Sequence, residues 1–122
     1  MLNILLQLKN KYSERNYIRK ADPKCDYWFD FSCQKLDGYI KRFNDNFNIC
    51  IIGDKDEAKD FYIIPFMCVK HLFIEKHLAK DQNRSPRWVG NIIEGGLKIT
   101  NCEIEFNCRQ YYGNIKLIET RI

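Results

Sequence analysis

The stretch "WVGNIIEGGLKITNCEIEFNC", residues 88–108, decides the fold class. Its apolar runs "WVGNII" (88–93), "LKIT" (97–100) and "CEIEFNC" (102–108) follow one another with only a Gly-rich "EGG" turn and a polar step between them. Within "CEIEFNC" the apolar set is Cys102, Ile104, Phe106 and Cys108, a strict period of two that marks a half-buried strand. A further strand, "NIKLIE" (114–119), follows the "YYG" turn at 111–113. Consecutive strands without intervening helices argue for an antiparallel, curved arrangement rather than a doubly wound α/β sheet.

Upstream, the patterns are mixed. "DYWFDFS" (26–32), "FNICII" (47–52) and "FYIIP" (61–65) read as strands, the last two joined by the acidic connector "GDKDEAKD" (53–60). "KLDGYIKRF" (35–43) is an element of undecided type between them. "LNILLQLKNKYSERNYIRK" (2–20) places Leu2, Leu5, Leu8 and Tyr12 at helical spacing, so residues 1–20 read as an N-terminal amphipathic helix stopped by "ADP" at 21–23. Phe66, Val69, Leu72, Phe73 and Leu78 predict a second helix near 66–79, starting after Pro65. In "DYWFDFS" Tyr27, Phe29 and Phe31 alternate as a buried face. Trp28 is expected on the other face beneath the N-terminal helix, against Leu5 or Leu8, with Asp26 and Asp30 at its margins. The expected architecture is one domain over 1–122, mainly β with two helices (α+β). Its β-rich body, residues 26–122, is an open barrel or curved antiparallel sheet of six to seven short strands.

Composition narrows the function classes. The 122 residues are 45% hydrophobic and 14% aromatic, within the folding range, and the longest unbroken apolar run near the N-terminus is three residues. Neither a signal peptide nor a membrane span is expected, and the compartment is expected to be a reducing cytoplasm. The six cysteines (25, 33, 50, 68, 102 and 108) include no C-x-x-C pair, and His71 and His77 stand at no zinc-motif distance from a cysteine pair. All six are expected reduced and mostly buried, with no metal and no cofactor. No Gly-rich phosphate loop is present, because "GG" at 95–96 precedes no helix.

A Mg²⁺ nuclease of the PD-(D/E)xK kind needs a carboxylate and then an acid-x-lysine pair on a buried strand. Asp45, Glu57 and Lys59 offer the residue types, but Glu57 and Lys59 fall in the acidic connector. Glu103 and Glu105 have no lysine in register. No catalytic residue is assigned.

The net charge of +4 is unevenly spread: residues 1–24 carry six basic and two acidic side chains, 25–69 five and eight, 70–90 five and two, and 91–122 four and four. Two basic segments brought together would attract phosphate. "KDQNRSPRW" carries Lys80, Gln82, Asn83, Arg84 and Arg87, and "NCRQYYGN" carries Arg109, Gln110, Tyr111, Tyr112 and Asn114. These are phosphate and base-edge donors of the kinds DNA-binding surfaces use.

The ordered blocks "DYWFDFS", "FYIIPFMCVKHLF" and "PRWVGNI", spanning about residues 26–93, resemble a module of bacterial restriction endonucleases and restriction-modification proteins. Proteins of that kind carry separate DNA-recognition domains, one being the B-three pseudobarrel of seven strands and two helices. The resemblance implies a B-three-like fold and target-site recognition in double-stranded DNA, with a nuclease domain or subunit as a further partner. The alternatives are the Mg²⁺ nuclease and a protein-interaction module with no nucleic-acid role, and no membrane partner is expected. No base-reading residue of that family can be placed on this sequence.

Overall fold

In the structure, a computed structural model that describes residues 15–53, 60–81 and 83–113, the order of elements is strand-rich but interleaved. Strand β1 (Asn16–Lys20) and β2 (Phe29–Ser32) are followed by helix α1 (Cys33–Phe43), β3 (Asn48–Ile52), β4 (Phe61–Pro65) and a single helical turn, α2 (Phe66–Val69). Then come β5 (Ala79–Asp81), the ten-residue β6 (Arg84–Ile93), β7 (Gly96–Ile99) and β8 (Glu105–Asn107).

The strands form two sheets. One has the order β1-β3-β4, with β1 parallel and β4 antiparallel to β3. The other is antiparallel, in the order β2-β6-β7-β8. Arg87 of β6 pairs with Ser32 on one edge and Ala79 on the other, while Gly90 pairs with Phe29 and Ile99. Strands β5 and β7 therefore share one edge of β6, opposite β2. The fold is mainly β with two helices, as the sequence predicts, but the two sheets are not closed into a barrel. The β1–β3 pair is parallel because the chain leaves the first sheet to build β2 and returns through α1.

Apolar alternation explains the core between the sheets. Phe29, Phe31, Trp88, Ile92, Leu97 and Ile99 project from one sheet toward Ile49, Ile51, Tyr62 and Ile64 of the other. The opposite face of the first sheet is as well buried, with Cys50, Ile52, Phe61 and Ile63 at most 1% exposed. Burial on both faces is why "FNICII" and "FYIIP" read as nearly unbroken apolar runs.

Four expectations need correction. First, residues 16–20 are strand, not helix, because pairing with β3 outweighs helical periodicity, and Leu2, Leu5, Leu8 and Tyr12 lie outside the described residues. Second, the helix near 66–79 stops after one turn. The carbonyls of Leu72 and Ile74 are taken by His77 Nδ1 at 2.8 Å and Trp88 Nε1 at 2.9 Å, so tertiary partners replace the helical ladder. Third, the strand at 102–108 shrinks to 105–107, for Ile104 is 58% exposed while Cys102 and Cys108 are buried. "NIKLIE" falls outside the described residues. Fourth, Trp28 does not stand on a strand's second face: Asp26 and Tyr27 have φ of 55° and 58°, and β2 begins only at Phe29. Trp28 instead bridges the backbone of Asp22.

The cysteines are six free thiols. Cys50, Cys102 and Cys108 are buried, Cys33 and Cys68 half-buried, and Cys25 exposed. Cys25 is therefore expected to be the first thiol labelled in the native protein, at a rate slowed by Asp22, which pushes its thiol up, and that label is lost in Cys25→Ser. Immediate labelling of three or more would contradict this burial. Among the described residues no helix is long and apolar enough to cross a membrane.

Candidate nucleic-acid interface

Strand β2 buries Phe29 and Phe31 and turns Asp30 and Ser32 to the opposite face, where the antiparallel register sets Ser32 against Arg87 and Asp30 against Val89. Ser32 also ends the strand. With φ −68° and ψ 132°, it caps α1 by accepting the Lys35 N–H at 3.4 Å. The Tyr17 hydroxyl accepts the Ser32 N–H at 2.9 Å. Burial pushes the Tyr17 phenol up, and its ring stacks on Tyr39 at 5.2 Å and meets Phe31 edge-on at 4.9 Å. These contacts hold β1 and the start of α1 together.

Arg19 of β1 donates through Nε to the Asp30 carbonyl at 2.8 Å and through Nη2 to its carboxylate. Arg87 brings Nε to 3.7 Å from the other carboxylate oxygen, an ion pair too long for a hydrogen bond. One carboxylate thus positions two guanidinium groups whose side chains are 38% and 20% exposed. Beside them a cavity of about 190 Å³ is lined by Arg19, Asp30, Ser32, Lys35, Arg84 and Arg87, among others.

A larger cleft of about 610 Å³ shares Tyr17, Arg19 and Lys35 with this cavity and runs between β1 and α1. Lys35, Gly38, Tyr39 and Arg42 line its helical wall at the i, i+3, i+4, i+7 spacing of one face. A Cβ on Gly38 would meet nothing within 4 Å, so glycine leaves the cleft open there. At its end Arg42 and Arg15 lie over the Phe43 ring at 4.8 and 4.7 Å. Both spaces together are lined by five cations, Arg19, Lys35, Arg42, Arg84 and Arg87, and one carboxylate, Asp30.

The two segments singled out in the sequence do not meet. Arg84 starts β6 and Arg87 follows, whereas Arg109 covers the turn beyond its far end, with Cγ 2.2 Å from where a Gly95 Cβ would lie. Nine strand steps separate Arg84 from Ile93, about 30 Å. Residues 84–87 are not a free loop either: they open β6 and pair with β5, with Pro86 beside the point where the ladder shifts register. Lys80 and Asn83 are exposed on the β5–β6 hairpin, Lys80 lying 4.0 Å from Glu75, and Gln82 is outside the described residues. At the far end Gln110 is exposed. Tyr111 stacks on Phe106 at 6.1 Å and donates to Cys68 Sγ at 3.5 Å, while Asn114 lies outside the described residues. Sequence reading missed Arg19, Lys35 and Arg42. A signal for the helical pair existed in Ser32 as a cap followed by basic residues seven apart.

A second polar cluster lies at the sheet junction. Asp60, 7% exposed, accepts from the Tyr27 hydroxyl and, at 3.1 Å, from the Tyr112 hydroxyl. A Cβ at Gly53 would press on the Asp60 carboxylate and the Tyr27 hydroxyl, so glycine there lets this cluster sit as it does. The carboxylates weighed for a nuclease do not assemble. Asp45 pairs with Lys70 at 3.1 Å, Glu103 and Glu105 are exposed, and Glu57 and Lys59 are outside the described residues. Among the described residues no three His, Cys, Asp or Glu side chains are grouped to hold a metal ion.

No family model, curated protein or solved structure matches the chain.

Proposed function

We propose that this chain binds double-stranded DNA through the basic groove and the adjoining β5–β6 hairpin, as the target-recognition part of a restriction-modification system. The supporting observation is the lining of five cations and one carboxylate over two connected cavities. Such a surface suits a polyanion, since neutralising phosphates with lysine and arginine supplies most DNA affinity. The restriction context rests on the order of the sequence blocks that resemble that family. Lys80, Asn83, Arg84 and Arg87 are the residues assigned to the DNA on this side, and Arg109, Gln110 and Tyr111 can reach only a distant part of the same duplex.

Electrophoretic shifts of a duplex at two salt concentrations test this. Binding should weaken steeply as salt rises. Arg84→Ala should lower affinity for all sequences alike and reduce the salt slope by about one if it touches phosphate, or cost roughly 1–3 kcal/mol with relaxed preference if it reads a base. Arg109→Ala, at the other end of β6, should have the smaller effect. A folded double variant, Arg84→Ala with Arg87→Ala, that kept wild-type affinity would overturn the assignment.

A further inference from the structure

We infer that the smaller cavity is a pocket for a phosphomonoester, and that the cleft beside it takes the attached nucleoside, so the ligand is a nucleotide carrying a terminal phosphate. This rests on the nucleic-acid reading above and deepens it. Four cations, Arg19, Lys35, Arg84 and Arg87, converge from β1, α1 and β6 on a space of about 190 Å³, with Asp30 as the single carboxylate among the lining residues. A backbone phosphodiester brings one negative charge, whereas a terminal phosphate brings close to two and a third acceptor oxygen. The charge excess therefore suits the monoester.

Asp30 does more than lower that excess. By engaging Nε and Nη2 of Arg19 it fixes that planar group before a ligand arrives, and it draws in Arg87 by an ion pair at 3.7 Å without a hydrogen bond, leaving their remaining N–H donors for the ligand. Among the described residues Lys35 Nζ and Arg84 have no carboxylate partner, so they are the cations available to pair fully with phosphate. The adjoining cleft, about 610 Å³, lies in the size range of small-molecule sites, and the side-chain-free helix surface at Gly38 widens it. Tyr39 lines the cleft by its ring edge, its two faces being stacked on Tyr17 at 5.2 Å and Phe47 at 5.3 Å, so it bounds the nucleoside space without stacking on a base.

The test compares one oligonucleotide with a 5′-phosphate or a 5′-hydroxyl, a free nucleoside 5′-monophosphate, inorganic phosphate and a covalently closed plasmid, all against the full chain. The phosphorylated strand should bind about tenfold tighter than its hydroxyl twin, a difference of 1.4 kcal/mol. Lys35→Gln, on an exposed helix position, and Arg87→Lys, which keeps the charge but loses the fork, should each remove most of that preference. Gly38→Leu should weaken the mononucleotide while leaving inorganic phosphate unaffected. Mononucleotide binding equal to that of the strand would make a free nucleotide the ligand, and tighter binding of the strand would make it a strand end. Equal binding of the two strands by the wild type would overturn the inference, while salt-sensitive plasmid binding would leave DNA binding standing. Loss of plasmid binding with the end preference intact would do the reverse.

Discussion

Phe31→Ala will destabilise the domain by about 3–5 kcal/mol, the range for emptying a buried phenylalanine site. Phe31 has no solvent exposure and meets three rings edge-on: Tyr17 at 4.9 Å, Phe29 at 5.6 Å and Phe73 at 5.7 Å. Tyr17 belongs to the first sheet and Phe31 to the second, so the ring joins the two. The cavity would also free Tyr17, whose hydroxyl holds the Ser32 N–H at the start of α1. Loss of stability and loss of the phosphate pocket should therefore appear together. Urea denaturation should show a lower midpoint with an unchanged slope. A cost below 1 kcal/mol would mean the ring is not the joint described.

Asp60→Ala is expected to cost about 1–3 kcal/mol, since it removes a buried carboxylate that accepts from the Tyr27 and Tyr112 hydroxyls. Tyr27→Phe should cost less, because it leaves Asp60 the Tyr112 hydroxyl. The cluster also sets an alkaline limit. Burial first, and then Asp60, pushes the Tyr27 phenol well up, and burial pushes Tyr62 up to about 12. Below pH 10 the folded and unfolded states both keep these protons. Above it the unfolded chain ionises while the folded chain resists, so stability declines from pH 10 to about 12. Chemical denaturation across that range, alongside phenolate absorbance, should show the midpoint falling before the phenols ionise in the native protein. A midpoint that rises over that interval would contradict the sign.

The central strands were legible because burial on both faces writes itself as an apolar run: 47–52 and 61–65 were expected, and Asn48–Ile52 and Phe61–Pro65 are found. The β6–β7 hairpin was legible through its glycine turn. Helix α1 was obscured by Gly38, a poor helix former that faces open space in the cleft. The segment after Pro65 misled in the other sense. Its helical spacing is real, but Leu72 and Phe73 enter the core from turns held by His77 and Trp88. Half of the groove, Arg84 and Arg87, could be suspected from "NRSPR". Lys35 and Arg42 left a signal in the Ser32 cap and their seven-residue spacing, but Arg19 left none, because it reaches Arg87 only through the shared Asp30, and no local pattern encodes that encounter.

The interleaving of the sheets governs how the chain can acquire its structure. Asn16 must find Asn48 to complete the first sheet, and Phe29, lying between them in sequence, must find Gly90 to complete the second. The second sheet cannot be completed without β2, which lies inside the stretch of chain that builds the first, so the two halves are not independent folding units. Both loop-closure costs precede most of the core contacts, which slows the search. Refolding is therefore expected as one slow concerted phase reported alike by Trp88 fluorescence and backbone signal, and separate phases for the two sheets would refute it.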